Sequence, residues 1–355
     1  MDIFLILATA VEIGASDIHI VTGFPPMIRV MGEMIPMEDF GIIRPEDAKG
    51  MIYSILYDEQ KQKFEENLEL DCSYDIPNIS RFRMNIFLHK DGVGAALRVI
   101  SSKIPTPQQL MIPDSITELT DLSKGLILVT GPTGSGKSTT LASLIEHINS
   151  HRKVRILTIE DPVEFVYTKK ASVITQRELG SQTHSFANAL KSALREDPDI
   201  ILVGEMRDLD TISLALTAAE TGHLVFSTLH TSDSAQSIDR IIDVFPSYQQ
   251  QQIRVQLSTA LKSVVCQHLL PRADGQGRIA AREILIVNPA VGNLIRQAKT
   301  HQIYSAMETG ARAGMITMDR ALANLVKQGA VTMDEACGKA GDMEQLKRYV
   351  AGGGY

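Results

Sequence analysis

The chain has 355 residues, of which 44% are apolar and 22% charged, a globular balance rather than a disordered one. Its 35 basic and 42 acidic residues leave a net charge of −7, which argues against a broad nucleic-acid-binding surface but leaves room for a local basic groove. Cys72, Cys266 and Cys337 form no CxxC pair, so neither a zinc ribbon nor a disulfide scaffold is indicated and a reducing compartment is expected. No apolar run approaches the roughly 20 residues needed to cross a bilayer. The apolar start, 1–11, carries Asp2 and no basic residue, so it reads as a first helix and not as a signal peptide. A soluble cytoplasmic protein of two or three domains is expected, at about 100–200 residues per domain.

Residues 1–100 read as a small α+β unit. Residues 16–21 alternate, with Ile18 and Ile20 on one face, and Ile28 and Val30 alternate again after Gly23, Pro25 and Pro26; two strands follow. Pro45, Glu46 and Asp47 open a helix, because proline suits the first turn and acids suit its positive end. Met51, Ile52, Ile55 and Leu56 supply its buried face. From 81 to 89 the period is two: Phe82, Met84, Ile86 and Leu88 face one way, and Arg81, Arg83 and Asn85 the other. A further strand, 95–100, carries Arg98.

Residues 101–122 hold Pro105, Pro107 and Pro113 among polar residues and read as a linker. From 123 to 289 short apolar runs (126–130, 155–159, 200–203, 224–229) alternate with helical stretches. Buried parallel strands have this pattern, because helices cover both sheet faces, so a doubly wound or RecA-like α/β core is expected. Residues 290–355 are helical in pattern and end in a glycine-rich tail, 352–354, expected to fray.

Gly131-Pro132-Thr133-Gly134-Ser135-Gly136-Lys137-Ser138-Thr139 matches G-x-x-x-x-G-K-[ST], with a strand before it and a helical stretch after it. Glycines let backbone N–H groups close around phosphate oxygens, and the helix N-terminus adds partial positive charge. Lys137 is placed to charge-pair the β- and γ-phosphates of ATP, and the Ser138 hydroxyl to ligate Mg²⁺. The apolar strand 200–203 leads through Gly204 to Glu205, in the form of a Walker B segment with Gly204 where an Asp usually stands. Ser138 and water must then carry more of the Mg²⁺ coordination, with Glu205 close by. Glu205 is also the candidate to orient or deprotonate the attacking water.

A third strand end carries Glu160, Asp161 and Glu164. Glu160 and Glu164 are candidates for positioning metal and water, a solvated acidic loop being the plain alternative. His223 and His230 bracket the strand 224–229, and Gly222 reads as the cap of the helix before it. An imidazole at the strand's carboxyl end can donate a hydrogen bond to phosphate and register its loss; either histidine could instead be structural. Zinc is not expected, with no cysteine nearby in sequence. Arg81, Arg83 and Arg98 form either a solvated face or a source of arginine fingers, and Arg195 and Arg207 flank the Walker B strand as further candidates.

The segments GPTGSGKST (131–139), ILTIEDPVEF (156–165), SALREDPDIILVGEMRD (192–208) and TAAETGHLVFSTLHT (217–231), together with RFRMN (81–85), resemble the type IV pilus retraction ATPases, the PilT family of secretion ATPases. The resemblance spans essentially the whole chain. It implies a homohexameric ring whose subunits each join a PAS-like N-terminal domain to a RecA-like ATPase domain, with nucleotide between the two. It also implies a cytoplasmic location at the inner face of the membrane, where rigid-body motions act on a platform protein and draw pilin out of the fibre. Carried onto this chain, it makes Lys137 and Ser138 the Walker A pair, Glu205 the Walker B catalytic acid, Glu164 part of an acidic box, and His223 and His230 a histidine box. Arg81, Arg83 and Arg98 match N-terminal-domain arginines that approach phosphate.

Assembly ATPases of the superfamily are usually longer and carry a four-cysteine zinc motif, so this chain resembles the retraction type. One departure is the family's AIRNLIRE helix, which appears here as AVGNLIRQ at 290–297. Gly292 and Gln297 remove two charges there, and Gly292 costs about 1 kcal/mol of helix propensity relative to Ala. The leading expectation is a pilus-retraction motor hydrolysing ATP. The alternatives are a divergent or accessory paralogue, or partner of one, a secretion or DNA-uptake motor, a non-hydrolysing nucleotide switch, and a RecA-like nucleic-acid translocase. The acidic balance disfavours the last of these.

Overall fold

The computed structural model describes residues 1–30, 32–77, 79–100 and 103–352. Ser101 and Ser102 of the expected linker, and Gly353 and Gly354 of the tail, lie outside them. Two compact units result, one of residues 1–103 with 164–166, the other of residues 104–163 with 167–355.

The first unit holds a six-stranded sheet built from β1 (Asp17–Ile20), β2 (Met27–Val30), β3 (Glu33–Pro36), β4 (Glu69–Ile76), β5 (Ser80–His89) and β6 (Gly92–Ile100). Its order is β3-β2-β1-β6-β5-β4, antiparallel throughout. Antiparallel strands can keep one face in solvent, and β5 does so: Phe82, Met84 and Ile86 are buried, while Arg83 and Asn85 are exposed. The core beneath joins these residues to Ile6 and Leu7 of the helix Ile3–Ile13 and Ile52 of the helix Pro45–Ser54. Strand β3 and the helix Asp58–Asn67 carry no periodic signal in sequence, whereas β4 does: Leu70, Cys72, Tyr74 and Ile76 alternate with Glu69, Asp71, Ser73 and Asp75. That helix is polar almost throughout and buries only Phe64.

The second unit holds a seven-stranded sheet of β7 (Gly125–Thr130), β8 (Arg155–Glu160), β9 (Val173–Glu178), β10 (Ile200–Val203), β11 (Leu224–Leu229), β12 (Leu261–Pro271) and β13 (Arg278–Ile286). Its order is β13-β12-β7-β11-β10-β8-β9, with every pair parallel except the β12–β13 hairpin. Every residue of β7, β10 and β11 is buried. Alternate residues serve two different cores: Leu126 and Leu128 face one, Ile127 and Val129 the other. This is the helix-covered parallel sheet that the apolar runs implied.

The C-terminal helices share the first of those cores. Ile295, Leu322 and Leu346 pack in one cluster with Leu126, Val264 and Leu285. Gly292, in the helix Pro289–Arg296, is buried against the helix Ser247–Ala260, where a Cβ would stand 3.2 Å from Ser258 O. Its propensity cost is therefore offset by close helix packing, and Arg296 adds a 3.2 Å hydrogen bond to Ser258 Oγ.

Candidate functional site

Parallel strands deliver their carboxyl ends to one edge of the sheet, and register decides which residues meet there. Thr130 stands level with Leu229 and with Cys266, and Val203 level with Ile159 and Ser227. The residues that follow these partners are the loop 131–136, His230, Gln267, Glu205 and Glu160. Ligands of open parallel sheets bind at such an edge.

The loop is shaped for a polyanion. Gly131 (φ +141°) takes a conformation that side chains rarely adopt, and a Cβ on it would meet Gln267 O at 2.3 Å. Gly136 (φ +85°) would place a Cβ 2.9 Å from Gln267 Nε2. The helix Lys137–His151 begins directly after it, aiming its unpaired N–H groups at the loop. Lys137 is 8% exposed, with Nζ donating to Gly131 O (2.9 Å) and Pro132 O (3.1 Å), so the ammonium is folded over the loop. Among the described residues Ser135 Oγ has no hydrogen-bond partner, although it is buried. Ser138 is half-buried at the first turn of the helix. Backbone donors, a sheltered cation and spare hydroxyls at a helix N-terminus together fit a nucleotide phosphate chain.

Glu205 follows the end of β10 through Gly204. A Cβ at 204 would sit 3.2 Å from Ile159 O and 3.3 Å from Glu160 Cα, so glycine lets this strand end press against β8. Gly204 N donates to Ile159 O (2.8 Å), and Thr228 Oγ1 donates to Gly204 O (2.6 Å), which fixes the turn between two neighbouring strands. Glu205 Oε2 lies 2.7 Å from Arg207 Nη2, and Oε1 lies 3.2 Å from His230 Nε2. Burial pushes this carboxyl upward, but the Arg207 hydrogen bond and the charges of His230 and Arg207 outweigh it and hold the group below the usual carboxylate range. An ionised carboxylate touching an imidazole at this edge is a fitting arrangement for handling water and protons beside phosphate.

The family model for type II/IV secretion system proteins matches residues 108–338. The chain is 49% identical over 340 residues to the type IV pilus retraction ATPase PilT of Pseudomonas aeruginosa, covering 96% of this chain and 98% of that one. This chain belongs to the PilT family of secretion ATPases. A twitching motility protein of Neisseria gonorrhoeae is 50% identical over 321 residues, covering 90% of this chain and 86% of that protein. A crystal structure of the pilus retraction motor PilT with bound ADP superposes with a TM-score of 0.92 at 47% identity, covering 98% of this chain and 99% of that one. The chain is an ATPase with a RecA-like nucleotide-binding core, as the sequence indicated.

Not every candidate of this ATPase gathers at the loop. His223 precedes β11, and its carbonyl accepts from Gly125 N, at the start of β7 (3.1 Å). It therefore occupies the amino edge of the sheet, about 20 Å from the carboxyl edge at about 3.3 Å per residue. His223 Nδ1 lies 3.0 Å from Ala218 O, closing the preceding helix. Within its own chain His223 therefore stands at the opposite end of β11 from His230, and the two histidines do not meet at one edge. Glu160 is at the right edge but nearly buried, its Oε1 accepting from Thr158 Oγ1 (2.6 Å) and Gln176 Nε2 (3.3 Å). Glu164 is exposed.

Arg81, Arg83 and Arg98 lie on the first unit's sheet. Arg83 stands directly opposite Arg98, and Arg81 opposite Ile100. Arg81 Nη2 donates to Ser73 Oγ (2.9 Å), and Arg98 Nε reaches Asp17 Oδ1 (2.9 Å). Two guanidinium groups directly opposite on one face repel, and Asp17 offsets part of that repulsion through Arg98.

Gln267 carries no signal in sequence. It is 2% exposed on β12, with Nε2 donating to Ser135 O (2.5 Å) and Oε1 accepting from Thr140 Oγ1 (2.9 Å). It braces the phosphate loop from beneath. A lone glutamine in 261–271 has no motif to flag it; only strand register brings it under the loop.

Proposed function

We propose that this ATPase powers retraction of type IV pili, as a ring of six copies that acts on an inner-membrane platform protein and draws pilin from the fibre base. The convergence of the phosphate loop with the Glu205–His230 pair at one sheet edge carries the catalytic part of this reading. Gly131 to Thr139 would enclose the phosphates, with Lys137 opposing their charge. The Ser138 hydroxyl would hold Mg²⁺, whose role when bound is to neutralise charge on the phosphates. Both Glu205 oxygens are engaged, so water is oriented when the contact to Arg207 or to His230 opens. His230 then holds its hydrogen bond to carboxylate or to phosphate, and that choice reports the state of the site. Glu164 and the Arg81, Arg83 and Arg98 face would complete the charge balance around phosphate, and a second copy of the chain would be the place for His223 to act. Among the described residues no helix is long and apolar enough to cross a membrane.

The test is pilus number and retraction in cells lacking the gene, with wild-type or Glu205→Gln copies returned. Abundant non-retracting pili, returned to normal by the wild type and not by Glu205→Gln, are expected. Bald cells would assign an assembly role instead. Unchanged pili would leave the ATPase and remove retraction, pointing to a divergent or accessory paralogue.

A further inference from the structure

Arg282 lies on β13 and is 6% exposed, yet among the described residues no acidic side chain pairs with it. Its contacts are neutral. Nε donates to Gln267 Oε1 (3.0 Å), its direct partner across the hairpin, and Nη1 donates to Met111 O (3.1 Å). Burial without a counter-charge carries its pKa down to about 10. A buried guanidinium spanning two neutral oxygens is an expensive way to make two hydrogen bonds, so the two things it joins are informative.

On one side is the phosphate loop. The Gln267 amide touches Ser135 O through its nitrogen and Arg282 through its oxygen. An amide is planar, so it cannot turn to follow the loop without disturbing its grip on Arg282. On the other side is a tight turn near the start of the second unit. Leu110 N donates to Thr106 O (3.1 Å), Met111 N to Gln108 O (3.0 Å) and Ile112 N to Pro107 O (2.9 Å). Met111 sits at φ +49°, left-handed backbone that a side-chain-bearing residue adopts only when its surroundings impose it. Arg282 is the side chain that holds its carbonyl.

We infer that Gln267 and Arg282 form a relay that carries the state of the phosphate loop to the strained turn at Met111, close to where the chain enters the nucleotide-binding unit. Both are positioning residues, since neither is placed to touch nucleotide. The relay rests on the proposed use of the loop for nucleotide phosphates. When the loop is filled, Ser135 O is fixed, Gln267 is fixed with it, and Arg282 keeps the turn closed. When the loop relaxes, the amide turns, and the turn is free to release its strain.

Hydrogen exchange on the full-length wild-type chain, with and without ADP, tests this. Severalfold slower exchange on adding ADP is expected both in the loop, 131–140, and in the turn, 106–112. In Arg282→Met the loop should still slow, while the turn exchanges at one rate with or without ADP. Arg282→Lys keeps the charge but has one donor centre in place of a fork, and should behave as Arg282→Met does. A purely structural Arg282 would give faster exchange at the turn in both states with the ADP-dependent difference intact, and that result overturns the relay. A wild-type turn indifferent to ADP while the loop responds overturns it as well, whether or not the variants fold. A loop that ADP does not slow removes nucleotide binding at 131–140, and the relay with it.

Discussion

The two sheets bury their apolar residues in opposite ways, and the difference decides where chemistry can sit. In the first, β5 alternates buried residues with more exposed ones, so its outer face is partly open and presents Arg83 and Asn85. In the second, β7 and β11 are buried on both faces, so polar work is pushed to the strand ends. A site at strand ends is held by the backbone of several strands at once, as the turn at Gly204 is held by Ile159 O and Thr228 Oγ1. A site on an open face is held by long side chains with freedom to move. The strand-end arrangement suits bond-breaking, which needs fixed geometry; the open face suits a group that arrives and leaves.

The largest effect should come from the strand-end site. Glu205→Gln keeps size and hydrogen bonding to His230 but removes the charge. Turnover, measured as phosphate release, should fall by about 10²–10⁴-fold, the usual contribution of a positioned acid or base, while nucleotide affinity changes little. Turnover like the wild type would move the catalytic role away from Glu205 and dissolve the contrast drawn above.

Core deletions should come next. Phe226 on β11 and Phe82 on β5 are both fully buried. Each change to Ala should cost about 3–5 kcal/mol in denaturant unfolding. Phe82→Ala is expected at the lower end, because a sheet open on one face can relax around a cavity more easily than one packed on both. Equal losses would show that the open face confers no such freedom.

Legibility in sequence follows the same division. The second sheet's inner strands were readable because full burial writes continuous apolar runs, and the 126–130 and 224–229 readings fall within one residue of β7 and β11. β12 and β13 were missed because buried polar residues, Gln267, Arg282 and Glu283, interrupt their runs. β9 was missed for a related reason, since Thr175, Gln176 and Arg177 make it an edge strand of mixed character. The phosphate loop and Glu205 were visible because motif spacing is local. The separation of His223 and His230 is legible as well, because residues that bracket a buried strand stand at opposite sheet edges.

A smaller effect concerns pH. Glu205 is held below the usual carboxylate range against the upward push of burial, with Arg207 supplying the leading opposition. A depressed carboxylate favours the fold above its ordinary pKa and loses that contribution as pH falls through the lowered value. Arg207→Ala removes the opposition and leaves burial less countered, so the Glu205 pKa should rise. The acid limb of kcat/KM should then move to higher pH, with the alkaline side unaffected by this group. An acid limb that stays in place would assign it to a different residue.

The smallest effect should come from the open face. Arg83 is exposed and stands opposite Arg98, so Arg83→Ala removes a like-charge pair and no buried contact. Stability should change by about 0.5 kcal/mol or less, in the stabilising direction. Because the repulsion is between exposed charges, the gain should shrink in high salt. Arg98→Ala relieves the same repulsion but also removes the 2.9 Å contact to Asp17, whose carboxyl that arginine helps to hold low against burial. The two substitutions should therefore differ in sign or size, with Arg98→Ala the less favourable. Denaturant midpoints for both variants at low and high salt measure this directly, and turnover of the same samples separates folding from function. A variant that unfolds like the wild type yet hydrolyses ATP more slowly would mark its arginine as a group that reaches phosphate from the open face. Unchanged folding and unchanged turnover together would leave that face as solvated surface.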